Sequence, residues 1–150
     1  MNEKSPSERT LGHLAGLVAH ALAWQLRRNF EAEGLDITHA QLGLLSDLFL
    51  EDGLTQQQLA AKVWKDKAAV KRLVDLLEEK GYVERRPGDD PRSYKVCLTS
   101  KSRKMQKDLR RISEMTLKQV IAGIDPGELD VCVKVLSQIH EQFYALNPEE

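Results

Sequence analysis

The stretch Asp66–Lys80, DKAAVKRLVDLLEEK, decides the fold. Val70, Leu73, Val74 and Leu77 recur at helical spacing and make one apolar stripe. Lys67, Ala68, Lys71 and Arg72 lie on the opposite side. Asp66 is placed to cap the first turn with its carboxylate. Gly81 stands just past the end, where a left-handed residue commonly stops a helix. The charges run against the helix's own stability, because the macrodipole favours acids in the first turn and bases in the last. Here Lys67, Lys71 and Arg72 crowd the first half, and Glu78 and Glu79 stand near the C-terminus. A helix that inserts its N-terminal half among phosphates and base edges has this pattern. The plain alternative is a solvated basic face on a surface helix.

The flanks turn the pattern into a fold. Thr55–Val63 (TQQQLAAKV) reads as a short capped helix, separated from the basic helix by Trp64 and Lys65 alone. Downstream, Tyr82–Arg86 (YVERR) reads as a strand, Pro87–Ser93 (PGDDPRS) as a turn, and Tyr94–Thr99 (YKVCLT) as a second strand. In that second strand Tyr94, Val96 and Leu98 alternate with Lys95 and Cys97, the period of a half-buried strand. Helix, tight turn, basic helix and hairpin with Arg92 on its tip make a winged helix-turn-helix.

At these residues the chain resembles the MarR family of bacterial transcriptional regulators. The carrying motifs are LTQQQLA at 54–60, VKRLVDLLEEKGYVERR at 70–86, DPR at 90–92 and LT at 98–99. The Asp-x-Arg wing tip and the strand ending in Leu-Thr are the specific part. The order of the flanking helices extends the resemblance over nearly the whole chain. It implies a mainly α fold with a small β-hairpin wing, in one MarR-like domain over 1–150. Within it, 35–111 form the winged helix-turn-helix, and 1–34 and 112–150 supply dimerisation helices.

The charge distribution agrees with a nucleic-acid face. The net charge is −1, yet residues 62–111 hold 16 Lys and Arg against 8 Asp and Glu. The rest of the chain holds 6 against 15. A basic face on an acidic body is the electrostatic footprint of a nucleic-acid binder. A hydrophobic content of 41% with 30% charged and 5% aromatic residues fits a soluble, helix-leaning domain. Cys97 and Cys132 lie far apart without a Cys-x-x-Cys motif, which suits a reducing cytoplasm. The apolar run Leu11–Ala23 is too short to span a bilayer, and Glu3 and Glu8 spoil a cationic leader. The chain is therefore expected to be cytoplasmic, with no membrane partner.

The other helices are legible from periodicity and punctuation. Residues 1–10 are expected to fray, and the first helix to run from about Leu11 to Ala32. Thr38-His39-Ala40-Gln41 is a capping box that opens the second helix. Thr55-Gln56-Gln57-Gln58 is another, with Leu59 and Val63 pointing inward. The helix from about Thr99 to Ile121 is basic in its first half and packs Met105, Leu109, Ile112 and Thr116. Asp125-Pro126-Gly127-Glu128 opens a last helix to about Leu146. The terminal helices carry long apolar stripes. Leu11, Leu14 and Val18 on the first, with Leu129, Val133, Leu136, Ile139 and Phe143 on the last, are the expected dimer interface. The resemblance implies a two-fold homodimer, while the residues alone leave a monomer open.

The expected site is an interface with double-stranded DNA. Lys67, Ala68, Ala69, Lys71 and Arg72 would enter the major groove. Arg72 is the candidate for bidentate contact with guanine, and Ala68 or Ala69 for a thymine methyl. Many members of the family carry Ser or Thr where this chain has Ala68 and Ala69. The alternative for Arg72 is pairing with Asp75 or Glu79. Arg92 resembles the family's wing arginine, which enters the minor groove, with a hairpin ion pair to Asp89 or Asp90 as its alternative. Arg85, Arg86 and Lys95 are expected to contact phosphates or to be solvated. Thr55, Gln56 and Gln57 offer a helix N-terminus to a phosphate.

The resemblance further implies a repressor released from a pseudo-palindromic operator by a small aromatic or phenolic effector. His13, His20, Trp24 and Phe49 are the candidate pocket walls, with plain core as the ordinary reading. The four histidines form no ligand-spaced cluster, so no metal and no cofactor are expected. Phosphate-loop, zinc-protease and nucleophile motifs are lacking, which argues against an enzyme. Two other readings stay open. One is a winged-helix module that binds an acidic protein partner. The other is an oxidant sensor using Cys97 or Cys132, although buried structural thiols are the default.

Overall fold

The computed structural model describes residues 6–63 and 66–146. Its elements in order are α1 (Pro6–Ala32), α2 (His39–Leu50), β1 (Leu54–Thr55), α3 (Gln56–Val63), α4 (Lys67–Glu79), β2 (Val83–Pro87), β3 (Tyr94–Leu98), α5 (Ser100–Val120) and α6 (Pro126–Leu146). The fold is the mainly α winged helix-turn-helix expected. The two-residue turn at Trp64 and Lys65, the inward side chain of Val63 and residues 1–5 lie outside what is described.

Local chemistry sets most boundaries. Thr38 accepts from the Gln41 N–H at 3.2 Å, and the Thr38 N–H donates to the Gln41 side chain at 3.1 Å. Thr55 and Gln58 repeat this box at the start of α3. Asp66 accepts from the Ala69 N–H at 2.7 Å to open α4. That helix closes with the Tyr82 N–H reaching the Leu77 carbonyl at 2.8 Å and the Gly81 N–H reaching Glu78 at 2.9 Å. The paired bonds require a left-handed residue, and Gly81 supplies it at φ 75°.

Three expectations are corrected. The first helix begins at Pro6, not near Leu11. Proline is suited to a first helical position, where its missing N–H costs nothing. A third strand, β1, pairs antiparallel with β3 through Leu54–Val96 and Thr55–Lys95, so the sheet order is β1-β3-β2. That makes β3 the central strand and overturns its alternation. Val96, Cys97 and Leu98 are all buried, while Tyr94, toward the tip, is exposed.

The chain divides into two compact units, Met1–Leu117 and Lys118–Glu150. In the first, Leu26 and Phe30 of α1 join Leu44, Leu45 and Leu48 of α2, Leu59 of α3, and Val70, Val74 and Leu77 of α4 in one core. Val83, Val96 and Leu98 of the sheet and Leu109 and Ile112 of α5 complete it. Buried polar groups in this unit are bonded: Ser102 donates to the Tyr82 carbonyl, and Thr116 accepts from Asn29. In the second unit α6 is capped by Asp125, which accepts from the Glu128 N–H at 3.0 Å. Among the described residues no helix is long and apolar enough to cross a membrane.

Candidate nucleic-acid interface

The capping carboxylate of Asp66 fixes where α4 begins, and the apolar stripe fixes which way it faces. With Val70, Val74 and Leu77 buried, Lys67, Ala68, Lys71 and Arg72 are exposed and Ala69 is half-buried. Lys71 pairs with Asp75 one turn on at 2.8 Å. The Arg72 guanidinium has no acidic partner among the described residues, so the expected alternative of Asp75 or Glu79 is not taken up.

The wing tip is built by its own backbone. The Gly88 N–H donates to the Ser93 carbonyl and the Ser93 N–H to the Asp90 carbonyl, both at 2.9 Å. The Asp90 carboxylate accepts from the Arg92 backbone N–H at 2.8 Å. Asp90 therefore organises the turn and leaves the Arg92 guanidinium exposed, with no acidic partner among the described residues. Asp89 instead pairs with Lys95 at 3.1 Å. Gly88 is required by close approach, since a Cβ there would stand 3.0 Å from the Ser93 carbonyl oxygen and 2.5 Å from its hydroxyl.

Arg85, expected to contact a phosphate or to be solvated, has a side chain only 23% exposed and engaged within the chain. Its Nη2 lies 2.5 Å from Asp75, its Nη1 2.7 Å from Glu78, and Nη2 also donates to the Gln56 side chain at 3.1 Å. Asp75 and Glu78, which hold it, were not among the expected functional residues. The signal was present, since acids near the end of α4 oppose the helix dipole. The Lys71 ammonium, with Arg85 behind it, holds the Asp75 carboxyl below the usual carboxylate range. Burial of Arg85 works against its charge, and the two carboxylates more than offset it. Arg86 pairs with Glu84 on its own strand. At the start of α3, Gln57 is exposed, Thr55 is half-buried and engaged in its cap, and Gln56 is turned to Arg85.

A basic helix N-terminus beside a hairpin with a free arginine is the arrangement by which winged helices address a duplex. The model of the MarR family matches residues 37–94, the span from the start of α2 into β3. The chain belongs to the MarR family of transcriptional regulators. Among its relatives in Bacillus subtilis (strain 168), YdgJ, an uncharacterized HTH-type transcriptional regulator, is 33% identical over 108 residues, 71% of this chain and 66% of YdgJ. YybA, also an uncharacterized HTH-type transcriptional regulator, is 25% identical over 129 residues, 85% of each chain. The organohalide-sensing regulator RdhR-CbdbA1625, solved in a 2,4-dichlorophenol-bound form, superimposes with a TM-score of 0.87. It shares 20% identity over 98% of this chain and 87% of its own.

In this MarR-family chain one of the four expected pocket residues lines a cavity. Phe49 opens on a groove of about 310 Å³ between α2 and α5, with Leu42, Ser46 and Leu50 on one side and Leu109 and Arg110 on the other. His13 and His20 are exposed on the first half of α1, and Trp24 is exposed under the Arg28 guanidinium at 4.7 Å. Within a single chain that part of α1 is open to solvent, and none of these three lines the groove beside Phe49. The thiols also divide. Cys97 is buried, and burial followed by the nearby Asp52 pushes its thiol up, away from the reactive thiolate. Cys132 is exposed on α6 in the single chain. Among the described residues no group of three His, Cys, Asp or Glu stands close enough to hold a metal.

Proposed function

We propose that the protein is a dimeric repressor that binds a pseudo-palindromic duplex and is released by a small aromatic or phenolic effector. One observation carries the reading. Of the arginines whose side chains are described, Arg72 and Arg92 alone hold neither a carboxylate nor an aromatic ring. They stand on the two elements that enter a duplex, α4 and the wing. Arg72 reads guanine in the major groove with Lys67 and Lys71 beside it, and Ala68 and Ala69 meet a thymine methyl. Arg92 enters the minor groove. Arg86, Lys95 and the α3 N-terminus at Thr55, Gln56 and Gln57 lie against phosphates.

The dimer is supported by apolar faces left open in the single chain. Leu11, Leu14 and Val18 are 46–55% exposed, and Val133, Leu136, Ile139 and Phe143 are 40–55% exposed. A second copy covers such faces at the least cost in invention. The groove beside Phe49 suits a small aromatic effector, with Ser46, Gln106 and Arg110 as polar handles. The 2,4-dichlorophenol held by RdhR-CbdbA1625 is a compound of that class.

The test is selection from a random duplex library, followed by titration of the winner across a salt series. The expected result is a palindromic winner whose log affinity falls linearly with log salt. Weak, salt-sensitive binding with no enriched sequence overturns the reading.

A further inference from the structure

We infer that Arg85 is a positioning residue for DNA recognition. From the root of the wing it fixes α4 and the first turn of α3 in the arrangement that fits a duplex, without touching the duplex itself. The inference rests on the DNA-binding reading above. One guanidinium on β2 spans three elements: Asp75 and Glu78 on α4, Gln56 at the start of α3, and its own strand, paired at Val96 with β3. Its planar fork holds those acceptors with less ordering cost than a flexible ammonium would need. Its side chain is only 23% exposed, which leaves little of it to reach a phosphate.

Asp75 is shared. On one side it accepts from Lys71, which lies on the groove-facing side of α4, and on the other from Arg85. When a phosphate draws Lys71 away, the whole Asp75 charge is left to Arg85, and the hold on the wing tightens as the helix seats. The Glu78 carboxylate accepts from Arg85 alone among the described residues. This accounts for an acid placed against the helix dipole.

The decisive variants change the electrostatics in the wrong direction for a bystander. Glu78→Gln and the double variant Asp75→Asn/Glu78→Gln remove acids from a DNA-binding unit, which on charge alone tightens binding to a polyanion. The inference predicts the reverse for the selected duplex. Affinity falls about threefold for Glu78→Gln and about tenfold for the double variant and for Arg85→Gln. Binding of the acid variants to a random duplex is unchanged or tighter, and the salt slope of Arg85→Gln stays at the wild-type value. Thermal melting of each full-length variant runs alongside; if Arg85→Gln does not fold, the acid variants decide. Acid variants that hold the selected duplex as tightly as wild type overturn the inference, as does a salt slope for Arg85→Gln reduced by about one. A wild type that selects no duplex overturns the DNA-binding reading itself, so the two failures are told apart.

Discussion

Arg72, Arg85 and Arg92 are the same residue type within one winged unit, and their surroundings give them different work. Arg85 is held by two carboxylates, whereas Arg72 and Arg92 are left open. Removing Arg72 should therefore act on recognition and not on folding. Arg72→Ala is expected to lose roughly 1–3 kcal/mol on the selected duplex and to relax base choice at one position. Titration against base-substituted duplexes checks it, and an equal loss on every sequence would make Arg72 a phosphate contact. Gly88 is needed for a different reason. In Gly88→Ala the new methyl meets Ser93, at a cost of about 1–3 kcal/mol to the wing turn. Melting and duplex titration should both register it, because the same turn presents Arg92. The sequence carries only an indirect sign of this division, the acids set against the dipole of α4. Arg85 is spaced like a surface base, and its partners Asp75 and Glu78 come from another element.

At the level of elements, what could be read was local. The caps at Thr38, Thr55, Asp66 and Asp125 act within three residues of themselves, so sequence places them correctly. β1 was missed because two residues carry no periodicity and its partner Val96 lies far along the chain. The alternation expected of β3 failed for the same reason, since β1 makes it a central strand. Ion pairs tie elements together, and their carboxylates respond to acid. Lys80 holds Asp36 below its ordinary value, Arg111 does so for Glu33, and Lys71 with Arg85 for Asp75. A depressed folded pKa contributes stability that is fully present above the ordinary carboxylate pKa of about 4 and is lost as pH falls through the folded value. Stability in urea should therefore hold from neutral pH to about 5 and decline below about 4. The decline should be shallower in Asp75→Asn, and an identical decline would contradict the assignment.

At the scale of the whole molecule, the sequence already separates a basic recognition unit from acidic, apolar terminal helices. The structure shows those apolar faces open in one chain. If a second copy covers them, wild type should sediment as a dimer, and Leu136→Asp should weaken association at least tenfold, as a buried unpaired charge requires. A two-fold pair places its two α4 helices on one side of the duplex, a helical turn apart, about 10 bp. The most direct test inserts about five base pairs, half a turn, at the centre of the selected duplex and measures affinity again. The account predicts that affinity drops to the level of a random duplex, because one half-site now faces away. Affinity unchanged by the insertion would mean that each chain binds by itself, and would contradict the account.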